Sequence, residues 1–176
     1  MARVSRNSKQ SIVAAVREYM SENPNETVSM RRIAAKLGIS AGTIYNHFSD
    51  KDSLIAALML EDWHEVLKQM EISCEKAASF KEGVTDLYQL LCGFISTYRN
   101  IWNGYRVSDN YAVLQSQRHK ELVGQIAVYV RTLLEKFAEE KDLKMDRILA
   151  ENILSAAMQN EISLEILLQL AGYIAE

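Results

Sequence analysis

With 176 residues, 48% of them hydrophobic, the chain can form one large domain or two small ones around a substantial core. No apolar run reaches the length of a membrane span, and Met1-Ala-Arg-Val-Ser-Arg has no apolar segment behind it, so neither a span nor a secretory leader is expected. The formal net charge of −3 conceals an asymmetry: residues 1–51 hold eight Lys/Arg against four Asp/Glu, and residues 52–176 twelve against nineteen. A basic head ahead of an acidic body suits a protein that offers one end to a polyanion.

Seven glycines, one proline and few stretches of strand-like alternation predict an all-α chain with little loop. Residues 1–8 are a polar arm in which Arg3 or Arg6 could reach a DNA backbone or minor groove, a solvated tail being the alternative. Lys9 to Met20 reads as the first helix, with Ile12, Val13, Val16, Tyr19 and Met20 on its inner face. Ser21 to Thr27 is a turn carrying the only proline.

Val28 to Ser53 organises the rest. Ser29 is placed to cap a short helix in which Ile33, Ala34 and Leu37 form one apolar stripe. Gly38 ends it where a left-handed residue carries no Cβ penalty, Ile39 plugs the corner, and Ser40 caps a second helix from Ala41 to Phe48. Two short helices crossing at small residues make a helix-turn-helix, whose second helix can enter a DNA major groove. At about 100° per residue, Ile44 and Phe48 fall on one side and Gly42, Thr43 and Asn46 on the other. Tyr45 and His47 flank them, and Lys51 opens a third helix behind a possible Ser49-x-x-Asp52 capping box. The candidate DNA-binding set is Ser29, Arg31, Ser40, Gly42, Thr43, Tyr45, Asn46, His47 and Lys51.

These residues resemble the tetracycline-repressor (TetR) family of bacterial transcription regulators. The matching positions are Ile33-Ala34, Leu37-Gly38-Ile39-Ser40, Gly42-Thr43-Ile44-Tyr45, His47-Phe48, Lys51 and Leu54, and they cover about the first third of the chain. The departure is in the preceding turn, where many relatives have glycine and Asn25 stands in its place. The resemblance implies a helix-turn-helix DNA-binding domain over 1–51 and a helical ligand-sensing and dimerisation domain over 52–176.

In the body, a helix is expected from Asp50 to about Cys74, then a polar break at Lys76 to Glu82 that contains Phe80. Val84, Leu87, Tyr88, Leu91, Phe94, Ile95, Tyr98 and Trp102 trace one side of a helix ending near Gly104. Tyr105 to Arg118 is the least regular part. Leu122, Ile126, Tyr129, Val130, Leu133 and Phe137 mark the next helix, closed by the charged run Glu139 to Asp142. Two helices, about Met145 to Gln159 and Ile162 to Ala175, finish the chain. The last is apolar over an arc of about 240°, enough for two partners. It is either the central helix of the body or a helix shared with a second subunit.

The family's two-fold four-helix interface favours the second reading. The candidate dimer contacts are Ile148, Leu149, Ile153, Leu164, Leu167, Leu168, Ala171 and Ile174. Phe94, Tyr98, Trp102, Tyr105, Tyr111, Tyr129 and Met158 mix aromatic faces with polar tips and are the candidate lining for an aromatic or lipophilic effector, simple core being the alternative for each.

Catalytic chemistry finds no support. His47, His64 and His119 are dispersed, and there is no phosphate loop, nucleophile elbow or Cys-x-x-Cys. Glu61, His64 and Glu65 share a helix face at ligand spacing but lack a second Glu-x-x-His, so a solvated face is favoured over a metal site. Cys74 and Cys92 read as isolated reduced thiols of a cytoplasmic protein. The chain is therefore expected to be a regulator and not an enzyme, without cofactor or metal. It should bind double-stranded DNA as a homodimer and repress until a small molecule releases it. An architectural or nucleoid-associated protein of the same fold without an inducer is the alternative.

Overall fold

The computed structural model describes residues 8–23, 26–104, 111–137 and 144–159, with the side chains of 100–104 and 111–116 left aside. Its regular elements are α1 (Lys9–Glu22), α2 (Met30–Leu37), α3 (Ala41–Tyr45), α4 (Lys51–Lys76), α5 (Phe80–Gly104), α6 (Tyr111–Phe137) and α7 (Asp146–Gln159). The all-α expectation holds for them. They pack as two compact units, Met1–His64 and Glu65–Glu176. The division falls inside α4, so the buried Leu54, Ile55 and Leu58 of α4 fall in the first unit.

In the first unit α1 supplies Ile12, Val13 and Val16, α2 supplies Ile33 and Ala34, and Ile44 and Phe48 close the core from the far side of the turn. Leu37 and Ile39, expected inside, are half-buried. Ion pairs hold the surface together. Arg17 bonds Asp62 at 2.6 and 2.9 Å and reaches Glu61 at 3.4 Å, fastening α1 to α4. Lys36 bridges from α2 to Glu18 and Glu22 of α1. Tyr19 donates to Glu26 at 2.7 Å, Arg32 donates to Tyr19 at 2.8 Å, and Arg32 also pairs with Glu26. The Tyr19 hydroxyl, and after it Arg32, hold the Glu26 carboxyl below its usual range.

In the second unit α5, α6 and α7 pack against one another. Leu87, Leu91, Tyr98, Ile126, Val130, Leu133, Leu134, Ile153 and Leu154 are all but inaccessible. Phe80, expected in a polar break, is the buried first residue of α5, so the break narrows to 77–79. The stretch expected to be irregular also shortens. α6 already begins at Tyr111. Gly83 marks a close helix crossing: a Cβ there would fall within 2.8 Å of Leu133 Cδ1 and closer still to Cδ2. Arg131 holds the buried Asp146 at 2.5 and 2.9 Å, and His119 Nε2 lies 2.6 Å from Glu151 Oε1, so two polar clasps join α6 to α7. Cys74 and Cys92 are free thiols. Glu139 to Asp142 and the whole final segment from residue 160 lie outside the described residues.

Candidate nucleic-acid interface

The corner between α2 and α3 is made by Gly38 at φ 68°, whose N–H bonds the Ala35 carbonyl at 3.1 Å. The next amide, Ile39 N–H, bonds Ala34 O at 3.0 Å, so two of the last four carbonyls of α2, those of Ala34 and Ala35, are satisfied as the chain reverses. Ser40 then caps α3, its Oγ accepting from Thr43 N–H at 3.1 Å. This pair of short helices is the one the spacing implied.

Three details differ. Ser29 stands at the N-cap of α2 with extended backbone, yet its side chain makes no cap bond. Its carbonyl takes the Ile33 N–H at 3.0 Å, and the hydroxyl stays half-exposed. α3 ends at Tyr45 and not Phe48, because His47 N–H bonds Ile44 O at 2.9 Å and tightens the final turn. That tightening drops Phe48 into the core at 3% exposure. The capping box opening α4 is shifted by one residue. Asp50 Oδ1 accepts from Ser53 N–H at 2.7 Å, and Asp50 N–H donates to Ser53 Oγ at 3.2 Å. An ionised carboxylate accepts more strongly than a hydroxyl and suits the positive helix start, so Asp50 and not Ser49 takes the cap. Ser49 instead donates to Asp50 Oδ2 at 3.1 Å.

The two faces of α3 are sharply different. Ile44 is 0% exposed, while Gly42, Tyr45, Asn46 and His47 are exposed and Thr43 is half-exposed. The Thr43 hydroxyl is engaged with Ser40 Oγ at 2.9 Å, which orients it but occupies one hydrogen-bonding direction. Packing does not require the glycine at position 42. A Cβ there would meet only Ser40 Oγ at 3.6 Å, an ordinary contact, and the backbone is right-handed. Glycine within a helix costs about 0.5–1 kcal/mol relative to alanine, and no close neighbour offsets that. What glycine does provide is a bare backbone on the exposed face.

The charge pattern of the unit separates structural cations from available ones. Arg17, Arg32 and Lys36 are committed to carboxylates. Lys9, Arg31 and Lys51 form no ion pair among the described residues. Arg31 lies on the exposed side of α2 and Lys51 begins α4. Lys9 was not singled out by the sequence; its signal, a cation opening a helix without a carboxylate one turn away, is weak until Phe48 is seen beside it.

The body candidates are less converged. Phe94 and Tyr98 contact with ring centroids 5.1 Å apart, and Tyr98 is fully buried. Tyr129 on α6 is half-buried, and burial, with Glu71 and Cys74 nearby, raises its pKa. Met158 is 43% exposed on α7. The side chain of Trp102, that of Tyr111, and all of Tyr105 lie outside the described residues. A shallow groove of about 340 Å³ between α6 and α7 is lined by Lys120, Val123, Arg147, Ile148, Glu151 and Asn152, none of them an effector candidate. Of the dimer candidates, Leu149 and Ile153 are buried within the unit and Ile148 is 53% exposed. Leu164, Leu167, Leu168, Ala171 and Ile174 lie outside the described residues. Among the described residues no three His, Cys, Asp or Glu are grouped to hold a metal, and Glu61 is engaged by Arg17. No described helix is long and apolar enough to cross a membrane.

Residues 12–58 match the family model described as bacterial regulatory proteins, tetR family. Among curated proteins, the chain is 43% identical over 56 residues to the HTH-type transcriptional regulator UidR of Escherichia coli (strain K12), covering 32% of this chain and 29% of that one. The chain thus spans under a third of that relative's length. It is 23% identical over 164 residues to the nucleoid occlusion factor SlmA of Shewanella woodyi, covering 89% of this chain and 82% of that one. Among solved structures, a transcriptional regulator from Rhodococcus sp. RHA1 superposes with a TM-score of 0.66 at 14% identity, over 94% of this chain and 93% of the other.

Proposed function

As this chain belongs to the tetR family of bacterial regulatory proteins, we propose that it is a DNA-binding transcriptional regulator whose first unit reads a palindromic operator through α3. The observation that carries this is the exposed face of Gly42, Asn46 and Tyr45 set against the buried Ile44, with an unforced glycine at its centre. Asn46 is the residue for a base edge, since an amide can both donate to and accept from adenine. Thr43 joins it through whatever its bond to Ser40 leaves free. Tyr45, His47, Lys51 and the Ser29–Arg31 start of α2 hold phosphates, which set register without reading sequence.

We propose further that the chain acts in the cytoplasm as a homodimer and represses until a small aromatic or lipophilic molecule binds in the second unit. Division of labour between residues 1–51 and 52–176 is part of this proposal. The support is the excess apolar arc of residues 162–175 and the aromatic Phe94–Tyr98 pair in the body. Linkage supplies the logic: a ligand that favours one spacing of the two heads weakens an operator that demands another.

The test is selection of bound duplexes from a randomised pool, with sedimentation of the protein at micromolar concentration. An inverted repeat with half-sites about one helical turn apart, bound by a dimer, is expected. A monomer that selects no sequence refutes the proposal. The match to a nucleoid occlusion factor over 89% of the chain favours one second reading, an architectural DNA-binding protein without an inducer. Many dispersed genomic sites and no compound that releases the DNA would select it.

A further inference from the structure

We propose that Lys9 is a DNA-backbone contact, reaching a phosphate from the first turn of α1 and widening the interface beyond α2, α3 and Lys51. The inference rests on duplex DNA being the partner of the α3 face.

Lys9 is exposed, and its Nζ lies 5.5 Å from the centre of the Phe48 ring. Phe48 immediately follows His47 and stands three residues before Lys51, so the fold brings an ammonium from the chain's first helix to the end of the recognition turn. The carboxylates that form ion pairs in this unit are engaged elsewhere, and Asp50 accepts from Ser49 and Ser53. Glu18 and Glu22 take Lys36, Glu26 takes Arg32, and Glu61 and Asp62 take Arg17. At about 1.5 Å per residue, Glu18 lies roughly 13 Å along α1 from Lys9, beyond the screening length of physiological salt. α1 is therefore charged by position, with a cation that forms no ion pair among the described residues at one end and its acids toward the other.

The placement also says which part of DNA is met. Phe48 is buried in the turn just beyond α3, whereas Gly42 and Asn46 are exposed, so an exposed cation held beside the Phe48 ring lies next to the base-reading face and not on it. Lysine is a flexible point charge without the planar fork that reads a base pair, and it suits a phosphate oxygen. Attraction between an ammonium and a ring fades by about 6 Å, so at 5.5 Å the ring parks Lys9 without trapping it.

The experiment titrates salt against the affinity of the full-length wild type, Lys9→Gln and Lys9→Arg. Each is measured on a duplex selected by the wild type and on one of mixed sequence, and each protein is also melted without DNA. Lys9→Gln should flatten the dependence of log affinity on log salt by about 0.9 for each phosphate no longer neutralised. Affinity should fall on both duplexes by a similar factor, on the order of threefold to tenfold per subunit, with the preference between them unchanged. The protein's melting temperature should not move, and Lys9→Arg should restore the slope. An unchanged slope for Lys9→Gln on DNA that the wild type binds overturns the assignment of Lys9 alone. So does a loss that tracks a fall in melting temperature, or a loss confined to the selected duplex. Failure of the wild type to bind either duplex removes the partner itself, and Lys9 with it.

Discussion

Asp50 and Ser53 exchange two hydrogen bonds across the first turn of α4: the Ser53 amide donates to the Asp50 carboxylate at 2.7 Å, and the Asp50 amide donates to the Ser53 hydroxyl at 3.2 Å. The Ser53 amide, and after it the Ser49 hydroxyl, depress the Asp50 pKa below its ordinary 3.8. A depressed folded-state pKa stabilises the fold above the unfolded value, and the stabilisation is lost as pH falls through the folded value. Asp50→Ala should therefore unfold more easily than wild type at neutral pH. In denaturant melts the gap should close in strong acid; a gap that persists there rules out the carboxylate as its source.

Gly42→Ala should separate stability from function. The site accepts a Cβ, so relief of the glycine penalty should stabilise the protein by about 0.5–1 kcal/mol. The added methyl stands on the exposed face and should weaken DNA binding. Parallel melting and DNA-binding assays decide it, and a variant that binds DNA as well as wild type removes the close backbone approach.

Lys51 and Asn46 should fail in different ways. Lys51→Ala should weaken binding to all sequences and flatten the salt dependence by about 0.9 per phosphate. Asn46→Ala should relax preference at one base pair per half-site, at about 1–3 kcal/mol. If Lys51→Ala loses discrimination while Asn46→Ala loses only salt-sensitive affinity, the two roles are inverted.

Gly83→Ala should overpack the α5–α6 crossing against Leu133, which is 0% exposed and has little room to yield. Destabilisation of about 1–3 kcal/mol is expected. Leu133→Ala alone should cost about 2–5 kcal/mol. The double variant should cost less than the two together, because the truncated side chain makes room for the new methyl. Strict additivity in urea unfolding would show that the crossing relaxes independently.

The two cysteines should differ in reactivity. Cys74 is 1% exposed, and burial pushes its thiol up to about 11, so little thiolate is present at neutral pH. Cys92 is only half-buried. Iodoacetamide should therefore alkylate Cys92 in the folded protein and reach Cys74 only on unfolding. Peptide mapping that finds Cys74 modified first would contradict the burial.

Local rules made the head legible in the amino-acid sequence. Gly38 had to be left-handed once a short apolar stripe stopped at Leu37, and Ser40 had to cap once Ala41 began a helix, because both depend on residues within one turn. The angular sorting that put Ile44 and Phe48 inside and Asn46 outside needed only the helical repeat. The misses were also local, by one residue or a few. Ser49 and Asp50 compete for one cap, and the burial of Phe48 decides where the intervening turn stops.

What the sequence could not order was the pairing of residues far apart in the chain. Eight Lys/Arg in the first 51 residues look alike as a string. The packing of α1 on α2 and α4 commits Arg17 and Lys36 to carboxylates, Arg32 is taken by Glu26 in the turn between α1 and α2, and Lys9, Arg31 and Lys51 form no ion pair among the described residues. Similarly, Leu149, Ile153 and Ile148 belong to one amphipathic pattern, yet α5 and α6 cover the first two and leave the third exposed. The sequence by itself determined the helices of the head, the turn at Gly38, the cap at Ser40 and the outward face of α3, because each follows from backbone geometry and side chains within a turn. The tertiary structure decided which charges are committed and which are available, because pairing is a matter of distance in space.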